Sequence, residues 1–125
     1  MTLRPRLPVL LVEDTVSLQM VYRATLERAG HAVRCAATAA EGLAALQAGP
    51  AAVVLLDLVL PDRDGLELMR EMLALRPGTA VVAITANGSV NRAVEAMRAG
   101  AHDFLVKPFD ERRLLAAVDN ARPHG

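Results

Sequence analysis

The chain has 125 residues, 53% of them apolar, with 14 basic and 14 acidic side chains and a formal net charge of zero. That length suits one domain with its own core, and the composition excludes a disordered segment or a fold that needs a disulfide or metal staple. The charge balance excludes a surface built on a basic stripe, and Tyr22, Phe104 and Phe109, the only Phe, Tyr or Trp residues, are too few for a base-stacking platform.

Five short apolar runs predict β-strands at 9–12, 31–36, 52–56, 80–84 and 104–106. Three of them are unbroken runs of Val, Ile, Leu and Ala, the pattern of strands buried on both faces of a parallel sheet. The second, 31–36, alternates and reads as an edge strand. The segments between carry helical patterns. Residues 15–29 hold Val16, Met20 and Ala24 at helical spacing, with Gly30 closing the segment. Thr38 with Glu41 forms a capping box for a helix over 39–48, which Gly49-Pro50 ends. Asp64 with Glu67 repeats that pattern, followed by Leu66, Met69 and Leu73 on one face and Glu67, Arg70 and Glu71 on the other. Val90, Val94 and Met97 make a stripe that stops at Gly100, and Leu114, Leu115 and Val118 make the last, beginning near Asp110. Five strand-then-helix repeats with right-handed crossovers place helices on both faces of a parallel sheet, an α/β architecture in a single domain over 1–125 with its core at 7–122. Residues 123–125 read as the start of a linker or a frayed end.

Cys35, the only cysteine, has no partner for a disulfide or a thiolate metal site and reads as a buried thiol in a reducing compartment. Near the N-terminus, Leu7-Pro8-Val9-Leu10-Leu11-Val12 runs directly into Glu13-Asp14, which is not the pattern of a signal peptide. No apolar stretch approaches the length of a membrane span. The expectation is a cytoplasmic protein.

Sites in open α/β sheets lie beyond the carboxyl ends of the strands. There this chain places Glu13-Asp14, Asp57, Thr85 and Lys107-Pro108. Crowded carboxylates repel and raise one another's pKa, which a divalent cation relieves. Mg²⁺ prefers oxygen ligands and keeps waters, and it combines readily with a phosphoryl group, whose transfer is mainly a matter of positioning and charge stabilisation. Asp57 as attacking carboxylate, with Mg²⁺, Lys107 and Thr85 on the three equatorial oxygens, would fill those roles.

Four stretches in order, Leu11-Val12-Glu13-Asp14, Leu55-Leu56-Asp57-Leu58-Val59-Leu60-Pro61 with Gly65, Ile84-Thr85-Ala86, and Asp103-Phe104-Leu105-Val106-Lys107-Pro108-Phe109, resemble the receiver domains of two-component response regulators. The likeness covers residues 7 to about 122. It implies a (βα)5 flavodoxin-like, doubly wound parallel sheet with strand order 2-1-3-4-5. It implies Asp57 as phosphoacceptor, Asp14 as direct Mg²⁺ ligand, Glu13 assisting through water, and the Val59 backbone carbonyl as a third protein ligand. Lys107 contacts the phosphoryl group, Thr85 is the switch hydroxyl, Phe104 the switch aromatic, and the Lys107–Pro108 peptide is cis. Val59 and Asn87 flank the route of attacking water. The implied donor is a sensor histidine kinase or a histidine phosphotransfer protein, and the only catalysis is the domain's own aspartyl phosphorylation and dephosphorylation. A narrower likeness, carried by Asn87-Gly88-Ser89-Val90, Ala93-Val94-Glu95-Ala96-Met97 and Gly100-Ala101-His102-Asp103-Phe104, is to receivers attached to σ54-type ATPase activators. The output, an AAA+ ATPase with a DNA-binding domain that controls transcription, would lie outside this chain, which has no G-x-x-x-x-G-K-[ST] loop. A homodimer through the fourth and fifth helices is left open, and direct nucleic-acid or membrane binding is not expected.

Each residue also has a structural reading. Lys107 alone reads as a surface lysine, Glu13 as a helix-start acid, Thr85 as a strand-end hydroxyl satisfied by backbone, and Phe104 as core. Asp62 and Asp64 read as loop and cap residues. Met69, Met72 and Met97 read as packing, and His31, His102 and His124 show no ligand spacing. Two other functions compete. One is an enzyme on a similar fold; a haloacid-type phosphatase would carry a second Asp at position 59, and a flavodoxin a phosphate loop in place of Glu13-Asp14-Thr15. The other is a receiver-like interaction domain that is never phosphorylated.

Overall fold

The computed structural model describes residues 6–86 and 90–122. Five strands, β1 (Val9–Val12), β2 (Val33–Ala36), β3 (Val53–Asp57), β4 (Ala80–Thr85) and β5 (Asp103–Val106), alternate with five helices, α1 (Val16–Arg28), α2 (Ala39–Ala48), α3 (Gly65–Leu75), α4 (Val90–Arg98) and α5 (Glu111–Ala121). All pairings are parallel, in the order β2-β1-β3-β4-β5. The unbroken apolar runs are the three central strands, buried almost throughout, and the alternating run is an edge strand, as expected. β2 starts at Val33 rather than His31, because His31 donates its backbone N–H to Leu26 and closes α1 instead of joining the sheet.

The strand period of two divides the core between the sheet's faces. Leu10, Val12, Val54 and Leu56 pack with Leu46, Leu66, Met69 and Met72. Val9, Leu11, Val53, Leu55 and Ile84 pack with Tyr22, Leu26, Leu114 and Val118 of α1 and α5. Three helix starts are capped as the residue types require: Thr38, Asp64 and Asp110 each accept the backbone N–H three residues on. α1 and α4 end before Gly30 and Gly100, whose positive φ of 95° and 113° favours glycine.

Two apolar stripes face the other way from the core. Val16, Met20 and Ala24 lie on the solvent side of α1, which buries Tyr22, Thr25 and Leu26 instead. On α4, Val90, Val94 and Met97 are exposed while Ala93 and Ala96 meet the core. Met97 is therefore not a packing residue; Met69 and Met72 are, both fully buried. The physical reason on α4 is size: alanines let the helix approach the sheet closely, and the larger side chains are turned out.

Strand register sets the site. Val12 pairs with Leu56, so Glu13 and Asp57 stand side by side just past that pair. Asp57 pairs with Ile84, and Thr85 with Val106, which brings Lys107 to the same edge.

Candidate phosphoacceptor and metal site

Glu13 and Asp57 are buried, whereas Asp14 is exposed. One carboxylate oxygen from each of the three lies within 4.8 Å of the others. Lys107 reaches across from β5: its Nζ donates to Asp57 Oδ2 at 2.8 Å and lies 2.8 Å from Glu13 Oε1. The second contact is an ion pair whose orientation does not meet hydrogen-bond geometry, so Glu13 Oε1 is a buried oxygen without a hydrogen bond. The other oxygens are held in place. Thr15 N–H donates to Glu13 Oε2 at 3.2 Å and Val59 N–H to Asp57 Oδ1 at 2.8 Å. The Gln19 amide donates to the carbonyls of Glu13 and Ala36, fixing the end of β1 against the end of β2.

Burial pushes the Glu13 carboxyl up, against the lowering effect of Lys107 and the Thr15 N–H, and the Asp57 charge pushes it further. Burial alone would lower the Lys107 ammonium, but its hydrogen bond to Asp57 and the nearby Glu13 carboxylate outweigh that and hold it above the ordinary lysine value. The group is a crowded set of oxygen donors with one buried oxygen lacking a hydrogen bond and a lysine serving as counter-ion. Such a set fits a hard divalent cation that accepts carboxylates and retains water.

Thr85 is buried at the end of β4, and its hydroxyl donates to the Leu105 carbonyl at 3.4 Å, so in this state it is the backbone-satisfied hydroxyl of the structural reading. Phe104 is half-buried, packed against the core on the α3 side. Its N–H donates to Asp103, and Arg113 holds both Asp103 and the Phe104 carbonyl. The Lys107–Pro108 peptide is cis. Val59 is 67% exposed, and Asn87 lies outside the described residues, as do His124 and residues 123–125.

The acceptor loop is anchored from both sides. Asp62 Oδ1 and Oδ2 accept the Ala39 and Ala40 N–H groups at the start of α2, which holds the Asp62 carboxyl below the usual range. Asp64 caps α3 and pairs with Arg92 of α4, and burial opposes but does not cancel the lowering of its pKa by Arg92. Gly65 closes against Leu58 so tightly that a Cβ there would sit 2.4 Å from the Leu58 Cα. Asp62 reads from sequence as a loop residue; nothing local signals that it caps a helix 23 residues away. The Tyr22–Phe109 stack, with ring centroids 4.9 Å apart, and the His31–Arg122 contact likewise join residues that no motif connects.

The family model described as the response regulator receiver domain matches residues 9–119. Among relatives, the C4-dicarboxylate transport transcriptional regulatory protein DctD of Rhizobium meliloti is 40% identical over 113 residues, 90% of this chain and 25% of that protein. The regulatory protein LuxO of Vibrio vulnificus is 38% identical over 89% of this chain and 24% of its own length. The chain thus spans about a quarter of the length of the relatives it matches. Among solved structures, the receiver domain of NtrX from Brucella abortus superposes with a TM-score of 0.87 at 36% identity, covering 90% of this chain and 96% of that one. A CheY-like receiver domain protein from Methanospirillum hungatei gives 0.88 at 33% identity, covering 93% of each. The ordered motifs, the strand order and these likenesses agree, and this chain belongs to the response regulator receiver domain family.

Proposed function

We propose that this domain is a Mg²⁺-dependent phosphoryl acceptor. Asp57 takes the phosphoryl group from a phosphohistidine on a sensor histidine kinase or a histidine phosphotransfer protein, and the product changes the surface formed by α4, β5 and α5. The observation that carries this reading is the Lys107 ammonium 2.8 Å from both Asp57 and Glu13, with Asp14 in reach.

Glu13, Asp14, Asp57 and the Val59 carbonyl are the groups to hold Mg²⁺. When bound, the ion supplies neutralising charge for a phosphoryl oxygen. An Asp57 carboxylate oxygen forms the new bond to phosphorus as the phosphorus–nitrogen bond breaks, and the electron pair stays on the donor's imidazole. The Val59 N–H on Oδ1 fixes the rotation of the carboxylate, so the attacking oxygen is presented in one orientation. Lys107 has three N–H donors and can turn one to a phosphoryl oxygen without leaving Asp57. Thr85 would release the Leu105 carbonyl to donate to the phosphoryl group, and Phe104, on the neighbouring strand, would turn inward to follow it. The result is a two-state equilibrium biased by the new bonds. Val59, exposed two residues beyond Asp57, flanks the path by which water removes the phosphoryl group, and the domain catalyses nothing beyond its own phosphorylation and dephosphorylation.

We place the domain within a longer cytoplasmic transcriptional regulator. The share of its relatives that it spans, and their printed descriptions as regulatory proteins, support this. The output would be a σ54-type AAA+ ATPase with a DNA-binding domain. The test is incubation with acetyl phosphate and Mg²⁺. A mass gain of about 80 Da, one phosphoryl group, that Asp57→Asn abolishes supports the reading, and a gain that persists in Asp57→Asn contradicts it.

A further inference from the structure

The acceptor site draws its groups from two separate arms. Glu13 and Asp14 stand between β1 and α1, and Lys107 stands at the end of β5, in the loop that leads to α5. The Lys107 backbone N–H donates to the Thr85 carbonyl at 2.9 Å, which ties the start of the loop to β4, and the loop beyond it meets α1 at a contact outside the site. Tyr22, one and a half turns into α1 and buried, stacks on Phe109, the second residue after Lys107, at a centroid distance of 4.9 Å and an interplanar angle of 26°. Further along the same seam, Thr25 donates to Glu111 at 3.1 Å and Arg28 pairs with the same carboxylate. Between the stack and those polar contacts the seam is open: a cavity of about 50 Å³ is lined by Tyr22, Thr25, Phe109 and Leu114. The stack joins α1 to the loop two residues beyond Lys107.

Lysine reaches its partners through a flexible stem whose freedom is costly to restrict. Where its Nζ comes to rest depends on where the backbone launches the stem. We infer that Tyr22 is a positioning residue for Lys107, acting through Phe109 to hold the loop at the height from which the ammonium reaches both Asp57 and Glu13. This rests on the phosphoryl-acceptor reading of the site. Glu13 is held by the Thr15 N–H and the Gln19 amide, and Asp57 by the Val59 N–H, so loss of the stack loosens the lysine arm and leaves these carboxylates in place.

The experiment measures phosphorylation by acetyl phosphate at saturating Mg²⁺, and Mg²⁺ affinity by calorimetry. Tyr22→Leu keeps the buried apolar bulk and loses the aromatic stack. Its phosphorylation rate constant is expected to fall about tenfold, since small misplacements cost that much or more, with Mg²⁺ affinity held within about twofold. Tyr22→Phe, which rebuilds the stack, restores the rate. Phe109→Leu, approaching from the loop side, reproduces Tyr22→Leu and serves if that variant does not fold. In a Lys107→Met background, Tyr22→Leu produces no further loss, because the two act as one unit. An additive loss in the double variant overturns the inference, as does a parallel fall in Mg²⁺ affinity or a Tyr22→Phe protein as slow as Tyr22→Leu. A wild-type protein that gains no phosphoryl group overturns the phosphoryl-acceptor reading itself, whereas a labelled wild type with an additive double variant overturns only the role of Tyr22.

Discussion

Lys107 Nζ and Asp57 Oδ2 stand 2.8 Å apart although 50 residues separate them in the chain. The same ammonium is 2.8 Å from Glu13 Oε1, so one lysine faces two buried carboxylates where a cation is proposed to bind. Lys107→Met therefore acts in opposite directions on metal and on chemistry. Removing a competing positive charge should tighten Mg²⁺ binding by up to about tenfold, or about 1.4 kcal/mol. Removing a donor to the phosphoryl oxygens should slow phosphorylation by about 100-fold. Calorimetry and intact-mass kinetics on one variant read both. Tyr22, the only tyrosine in a chain without tryptophan, offers a fluorescence readout close to the site.

Gly65 is where the acceptor loop closes. A methyl group there would meet the Leu58 Cα, carbonyl carbon and oxygen at 2.4–2.8 Å, and these are backbone atoms that cannot rotate away. Gly65→Ala is expected to cost about 1–3 kcal/mol in chemical denaturation. It should also slow phosphorylation, because Leu58 adjoins Asp57. Gly78→Ala, where a Cβ meets nothing within 4 Å, is the control.

His31 gives stability a pH dependence. Its Nδ1 accepts from Arg122 Nε at 3.0 Å, which leaves Nε2–H to face Asp119 at 3.2 Å. Burial lowers its pKa below the ordinary 6.5, the Arg122 and Arg6 charges lower it further, and Asp119 opposes. The unfolded chain thus takes up the proton at higher pH than the folded one. The contribution of His31 is fully present above about pH 6.5 and is lost as pH falls through the depressed folded value. His31→Gln should flatten the pH dependence of the denaturation midpoint across that window. A steeper loss in the variant than in the wild type would contradict this.

The outward face of α4 can be tested by substitution. Val94→Ser, on the exposed stripe, is expected to change stability by no more than about 0.5 kcal/mol. Ala96→Leu, at a fully buried position, should destabilise by about 1–3 kcal/mol through overpacking. The sequence favours the opposite assignment, since Val and Met outrank Ala as apolar residues. Which face a helix buries depends on the distance it keeps from the sheet, and that distance is a tertiary quantity. On α3, where Leu66 and Met69 face the core and Glu67 and Arg70 face solvent, chemistry separates the two sides and the pattern is readable.

The site residues were legible for a related reason. Glu13, Asp14, Asp57 and Lys107 interrupt apolar runs at the strand ends, where packing has no use for them. Parallel register then carries each to the same edge. Asp62, the Tyr22–Phe109 stack and the His31–Arg122 contact were not legible. Each joins groups far apart in sequence, and in each at least one partner is a backbone amide, an aromatic or a basic side chain of ordinary local character. Thr85 lies between these cases: its position follows from the strand end, but the direction of its hydroxyl toward Leu105 does not.

The most direct measurement is chemical localisation of the label. An acyl phosphate on a carboxylate is reduced by borohydride to the alcohol, so a phosphorylated aspartate becomes homoserine. After treatment with acetyl phosphate and Mg²⁺ and then borohydride, peptide mass spectrometry should find homoserine at position 57, and none when Mg²⁺ is chelated. Homoserine at position 14 or another aspartate, or an unreduced phosphate ester on Ser or Thr, would contradict the assignment of Asp57 as the acceptor.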